Sequence, residues 1–259
     1  MSSRSNEALY IVFMLDTRFI SDAVQKHRQK HHYTPKELKA SFFDMDGVLF
    51  DSMPAHARSW VQAVAEEGLK TEPEDFYLYE GQTAACTINL LYRRHLNRDA
   101  TKEEEKRIYL RKTALFGEYD SGRAIPDAES VVAELSDTFR VLVTGSSQPG
   151  LLKRIGKVYP GIFNKENMVT GNDVSIGKPH PEPYLMALKY AKASPEEALV
   201  VENAPKGVRA GVSAGIFTVA VNTGPLPDAV LYEEGAGVVF DDMSQLLAAL
   251  PHIREAFAG

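Results

Sequence analysis

Cysteine is almost missing from this chain: Cys86 stands alone. No intramolecular disulfide can form, which excludes the stapled architecture of small secreted domains and suits a reducing compartment. Long hydrophobic runs are missing too, and no stretch approaches the roughly 20 apolar residues of a membrane-spanning helix. An apolar run near the start, Leu9 to Leu15, gives way at once to Asp16 and Arg18. Before it Arg4 is set against Glu7, and no A-x-A-like site follows closely, so a signal peptide is not expected. Positive charge is in deficit, with 29 Lys and Arg against 35 Asp and Glu and a net charge of −6. That argues against a general grip on nucleic acid or anionic lipid and leaves room only for a local cationic pocket. A cytoplasmic monomer with neither nucleic-acid nor membrane partner is the expectation.

The rest of the composition is ordinary, 44% hydrophobic and 25% charged over 259 residues. A chain of this size buries about 70–75% of its unfolded surface, so its core needs no staples. Residues 1–36 read as an appended segment outside the main fold. Within it His27, His31 and His32 lie in a basic polar stretch with no acidic or cysteine neighbour, which reads as a solvated tail and not a metal site.

The chain is organised around the stretch from Phe42 to Met53. Two apolar residues run into Asp44; Asp46 and Gly47 follow. This pattern is a buried strand ending in a loop, where open α/β sheets place their ligands. A calcium loop is excluded, because its fifth, sixth and twelfth places would be Val48, Leu49 and Ala55.

From Pro54 the apolar period turns helical. Trp60, Val61, Val64 and Ala65 mark one helix, ended by Gly68; Ala84 to His95 form a second; Thr101 to Tyr119 form a third, with Thr101 and Glu104 as a capping box. After Ile125-Pro126 strands and helices alternate. Strands are expected at 140–144, 168–170, 198–201, 217–221 and 238–240, with helices at 127–135, 150–159, 181–193 and 205–214 and a last helix closing the chain. Such alternation with apolar strands predicts a parallel sheet covered by helices on both faces.

Several loops in this half carry polar residues. Val143 runs into Thr144, Gly145, Ser146 and Ser147; Val201 runs into Glu202 and Asn203; Lys178 sits between Gly177 and Pro179. A parallel sheet gathers such strand ends along one edge with Asp44 and Asp46.

These four separated motifs, in this order, resemble the haloacid dehalogenase superfamily in its β-phosphoglucomutase-like branch, over residues 39 to about 250. Asp44-Met45-Asp46-Gly47-Val48 matches the first motif, Thr144 the second, Lys178 the third and Glu202-Asn203 the fourth. The stretches 46–50, 201–205 and 215–225, with Glu80-Gly81 and Tyr109, are similar to the Bacteroides-type inorganic pyrophosphatases of that superfamily. The resemblance implies a Rossmann-like α/β core, residues 37–53 and 126–259, with an all-helical cap inserted at 54–125. It implies an aspartyl-phosphate mechanism: Asp44 as nucleophile, Asp46 as acid and base, Thr144 and Lys178 on the transferring phosphoryl group. Mg²⁺ is the implied cofactor, held by Asp44, Asp46, Glu202, Asn203 and, from the cap, Glu80. Gly145, Ser146, His56 and Tyr109 are the implied substrate contacts. Asn203 stands where the branch usually has aspartate, which removes one negative charge from the metal site.

The substrate is expected to be small. The stretch 81–85 lacks the arginine with which the branch grips a second phosphate, which weakens a sugar phosphomutase reading. A dehalogenase has no use for Asp46 and Mg²⁺, and a non-catalytic binding protein would not need an intact Asp44. Inorganic pyrophosphate is therefore the first expectation, a small phosphomonoester such as a sugar phosphate the second and β-phosphoglucomutase activity the third.

Overall fold

Phe42 and Phe43 point to opposite faces of one strand, and each enters a different hydrophobic cluster. In the computed structural model, which describes residues 18–146 and 151–259, this strand is the centre of the molecule. The elements are α1 (Arg18–His31), β1 (Ala40–Phe43), α2 (Met53–Ala65), α3 (Pro73–Tyr79), α4 (Ala84–Leu96), α5 (Lys102–Tyr119), α6 (Ala128–Glu134) and β2 (Phe139–Val143). Then follow α7 (Leu151–Val158), β3 (Met168–Val169), α8 (Glu182–Ala191), β4 (Ala198–Glu202), α9 (Pro205–Ser213), β5 (Phe217–Val221), α10 (Asp228–Glu233), β6 (Val238–Phe240) and α11 (Met243–Ala258).

The six strands are parallel in the order β3-β2-β1-β4-β5-β6. Phe43 is in register with Leu142 on one side and Val201 on the other. The chain moves outward from β1 to β2 and β3, then returns to the far side of β1 as β4. The switch in direction opens a crevice at the carboxyl ends of β1, β2 and β4. Because both faces are covered, β1, β4 and β5 are buried throughout, and buried Ser41 is paired, its Oγ lying 2.7 Å from Thr138 Oγ1.

Helices α2 to α5 are inserted between β1 and β2 and form the cap layer, with a small core of their own around Trp60, Phe76, Ile88, Leu91, Ile108 and Leu115. Trp60 and Phe76 stack with ring centres 5.7 Å apart. The expected capping box of α5 is present, Glu104 N–H donating to Thr101 Oγ1 and Thr101 N–H to Glu104 Oε2. Helices α3 and α10 lie in stretches the sequence pattern leaves unassigned. Each spans at most two turns and buries a single residue, Phe76 and Leu231, so neither shows a period.

The appended-segment expectation fails for residues 18–36. Helix α1 lays Ile20 and Val24 into the main core beside α11. Arg28 Nη2 donates to the Ala256 and Phe257 carbonyls at 2.5 Å each, and Lys36 N–H donates to Phe257 O at 2.9 Å. His27 is half-buried, its Nε2 lying 3.1 Å from Gly215 O and its ring meeting Phe217 edge-on. The expected solvated tail is a docked helix, because its stripe is completed by amphipathic His27 and Arg28, whose apolar bodies a hydropathy count misses. The run Leu9 to Leu15, Ser147 and the start of the helix expected from Gly150 lie outside the described residues. Among the described residues no helix is long and apolar enough to cross a membrane.

Candidate active site

Asp44 follows β1 directly, its N–H donating to Val201 O at 3.0 Å, so the sheet ladder itself aims the side chain into the crevice. Lys178 Nζ lies 2.5 Å from Asp44 Oδ1, 2.6 Å from Glu202 Oε1 and 3.1 Å from Val143 O, only 3% exposed. Burial opposes its charge, but Asp44 and Glu202 outweigh that and hold the ammonium above its ordinary range. Burial pushes the Asp44 carboxyl up, with Glu202 and Asp46 adding to it against the pull of Lys178. The buried cluster thus carries more carboxylate than ammonium.

Glu202, expected as a metal ligand, has both carboxylate oxygens engaged within the protein. Its Oε1 accepts from Lys178 and from Tyr184 OH at 2.6 Å each; its Oε2 accepts from the Asn203 and Ala204 N–H groups at 3.0 and 3.3 Å. All four lone-pair directions are taken, which suits Glu202 to holding Lys178 and not to ligating an ion. A Cβ on Gly207, at the start of α9, would fall 1.9 Å from Glu202 Oε1, so only glycine leaves space for this carboxylate. Tyr184 gives no signal in the sequence, since an aromatic in a helix reads as core.

Asn203 differs from its neighbour. Its Oδ1 is buried and accepts no hydrogen bond. An orphaned acceptor costs on the order of 1–3 kcal/mol unless something fills it. Gly47, at φ +86°, makes way for this amide: a Cβ there would lie 1.9 Å from Asn203 Nδ2. Asn203 Oδ1, the Asp44 carboxylate and the Asp46 carbonyl are oxygen donors of the kind that would suit a hard cation. Among the described residues no three His, Cys, Asp or Glu side chains form a metal cage alone, so the fit depends on the amide and the backbone.

Asp46 has a different environment. Ser52 Oγ donates to its Oδ1 at 2.5 Å, and His56 Nε2, from the first helix of the cap, lies 3.4 Å from the same oxygen. Burial would raise this carboxyl, but His56, Ser52 and the more distant Arg154 outweigh it and hold the group far below the usual carboxylate range. His56 Nδ1 in turn faces Lys112 Nζ at 2.7 Å. Burial brings the Lys112 ammonium down to about 8, against the pull of Glu80 and Asp46. Lys112 escaped the sequence reading although it carried a signal: it occupies an apolar position of α5, four residues after Ile108 and three before Leu115.

Thr144 follows β2 directly, its N–H donating to Val169 O at 2.9 Å and its Oγ1 accepting from Ser146 N–H at 3.0 Å. These residues, with Asp44 and Asp46, line a cavity of about 460 Å³ whose opposite wall includes Glu80, Thr83, Lys106, Tyr109 and Lys112. Every expected substrate contact, Gly145, Ser146, His56 and Tyr109, borders this cavity. Half-buried Glu80 faces Asp46 across it, and burial raises its carboxyl. Among the described residues no arginine borders it. The cap loop closes on the core here, since a Cβ on Gly81 would be 3.4 Å from Lys178 Cδ and one on Gly145 would be 3.4 Å from Gly81 O.

Residues 38–215 match the family model of haloacid dehalogenase-like hydrolases. The chain is 31% identical over 186 residues to hexitol phosphatase A of Escherichia coli, covering 71% of this chain and 83% of that protein. It is 28% identical over 216 residues to the provisionally named pyrophosphatase PpaX of Caldanaerobacter subterraneus, covering 82% and 94% of the two chains. Among solved structures, a provisionally named β-phosphoglucomutase of Bacteroides vulgatus superimposes with a TM-score of 0.89 at 46% identity, over 94% of this chain and 100% of that one. With a carboxylate beside a buried lysine at the switch point of a parallel sheet under inserted helices, the chain belongs to the haloacid dehalogenase-like hydrolases, in their β-phosphoglucomutase-like branch, and is a phosphatase-type enzyme.

Proposed function

We propose that the chain hydrolyses small phosphomonoesters, sugar or polyol phosphates among them, through an aspartyl-phosphate intermediate, with residues 54–125 acting as a cap that closes over the core. The observation that carries this reading is buried Asp44, held by Lys178, on the floor of a cavity of about 460 Å³. That volume is within the roughly 300–1,000 Å³ usual for small-ligand pockets and leaves room for a leaving group larger than phosphate. The relatives named for hexitol phosphate and phosphorylated carbohydrates favour the same substrates.

In the first step an Asp44 oxygen forms a bond to phosphorus while the bond to the leaving oxygen breaks, and Asp46 delivers a proton to that oxygen. In the second, water attacks the aspartyl phosphate, its proton passing to Asp46 as the acyl phosphate bond breaks. Thr144 and Lys178 hold the phosphoryl oxygens, and Glu202 keeps Lys178 in place. Asp44, the Asp46 carbonyl and Asn203 Oδ1, joined by Glu80 from the cap, are the groups that would hold Mg²⁺. Bound there, the ion would offset the repulsion between Asp44 and the phosphate and polarise the phosphoryl group.

A second reading is inorganic pyrophosphate. Asp46 is held ionised by His56 and Ser52, which leaves it little proton to donate, and phosphate leaves more readily than an alkoxide without protonation. The cationic wall of Lys106 and Lys112 also suits a charged leaving group. The deciding measurement compares specificity constants for hexitol phosphate, glucose 6-phosphate and pyrophosphate with Mg²⁺ present. A preference for the organic esters supports the first reading; a preference for pyrophosphate of more than about tenfold replaces it with the second.

A further inference from the structure

The two segments that join cap to core run side by side. Asp51 N–H donates to Arg123 O at 3.0 Å, Ile125 N–H donates to Leu49 O at 3.1 Å, and Phe50 and Ala124 form an antiparallel bridge. Arg154 reaches this hinge from α7 of the core. Its guanidinium donates to Asp120 at 3.3 Å, lies 4.3 Å over the Phe50 ring and 5.8 Å from the Phe116 ring. Phe50 belongs to the first connection, Asp120 caps the last helix of the cap, and Phe116 is part of that helix. Arg154 therefore meets both the first connection and the end of the last cap helix.

Two further observations single this pair out. Among the described residues every other ion pair between Lys or Arg and a carboxylate stays within the cap or within the core. The pair is also shielded, its side chains 19% and 12% exposed, so it is less screened than a surface bridge. The cleft beside it is lined by Lys153 and Lys157, and Asp120 is the one acid at its edge among the described residues. A guanidinium swung free would meet like charges, and Asp120 is the partner that draws it back.

We propose that Arg154 and Asp120 form a latch at the pivot that biases the cap towards its closed arrangement. Arg154 is then a positioning residue: it touches neither substrate nor reacting atoms, but it holds residues 80–83 against Lys178 and Gly145. The latch stands on the hinge geometry and does not depend on which phosphate is cleaved.

The test reads the cap without substrate. Amide hydrogen exchange of residues 80–83 is measured on the ligand-free full chain and on Arg154→Gln, Asp120→Asn, the double variant and Arg154→Lys. Each single variant is expected to exchange about fivefold faster in this loop, the double variant no faster than either single, and Arg154→Lys within about twofold of the parent. In turnover of whichever of glucose 6-phosphate and pyrophosphate the parent prefers, kcat/KM of Asp120→Asn should fall about tenfold while kcat stays within about twofold, because bound substrate closes the cap by itself; the Arg154 variants are read by exchange alone, since Arg154 also acts on Asp46. Thermal unfolding verifies that each variant is folded; Asp120→Asn, which leaves Arg154 packed on Phe50, carries the test if Arg154→Gln is not. Unchanged exchange in a folded single variant, additive effects in the double, or a fall in kcat at constant KM would overturn the latch.

Discussion

Asp44 and Asp46 lie two residues apart in one loop, equally buried, and their acidities move in opposite directions. Asp44 takes its partners from the core: Lys178, which Glu202 and Tyr184 anchor in turn. Asp46 is met by the cap: His56 of α2, backed by Lys112 of α5, with Ser52 in the connection between. Burial raises both carboxyls, and the sign of the result is set by how much positive charge arrives and from which layer. The difference teaches that Asp44, the proposed nucleophile, is held by the core alone, whereas Asp46, the proposed acid and base, takes part of its tuning from the cap.

The sharpest way to break this comparison is to remove the nucleophile. Asp44→Asn, nearly isosteric, should lower phosphate release by at least about a thousandfold while the thermal transition is retained. Residual release near the parent rate by protein free of contaminants would move the nucleophile elsewhere. Next comes the core cation. Lys178→Met leaves Asp44 and Glu202 buried without their shared ammonium, so turnover should vanish and stability should fall by about 3–5 kcal/mol in urea unfolding.

The cap side should respond more gently and through pH. With Lys112 brought down to about 8, the ammonium facing His56 is lost as pH rises through that value. The alkaline limb of kcat/KM should lie near pH 8 in the parent and move upward in Lys112→Arg, with a loss of up to about tenfold at neutral pH from altered packing. A limb that stays put in the arginine variant would separate Lys112 from Asp46.

The smallest effect belongs to a control, a half-buried base with no carboxylate facing it. Burial first, then His31, lowers His27 to about 4 from 6.5. The unfolded chain therefore takes up a proton before the folded one does. Stability is fully present above pH 6.5 and is lost as pH falls towards 4, by about 2 kcal/mol after allowance for solvent screening. His27→Gln should flatten that part of the curve of unfolding free energy against pH.

The candidate site was legible because its residues stand at or just after strand ends, where a continuous apolar run stops and polar residues begin. Asp44, Asp46 and Thr144 all meet that condition, and the buried amide of Asn203 follows β4 in the same way. Glu202 was read from the sequence as a metal ligand, and in the structure its oxygens are engaged by Lys178, Tyr184 and the 203–204 amides. Which way a carboxylate turns is decided by Tyr184 and the 203–204 amides, and those partners come together only in space. Lys112 was readable in principle as a charge on an apolar stripe. Helix α1 was not, since Ile20 and Val24 are too few to mark a stripe and the rest of its contact is made by His27 and Arg28.

The sheet order has a consequence for how the chain is born. β1 emerges from the ribosome early, yet both strands that flank it are made later, after the whole cap has been synthesised. At roughly 5–20 residues per second, the stretch between Phe43 and Phe139 delays β2 by some 5–20 s, and β4 by longer still. During that interval Ala40 to Phe43 has no neighbour to bond, while the cap, rich in local helical contacts and with a core of its own, can already assemble. The nascent molecule completes its lid before it has built the vessel.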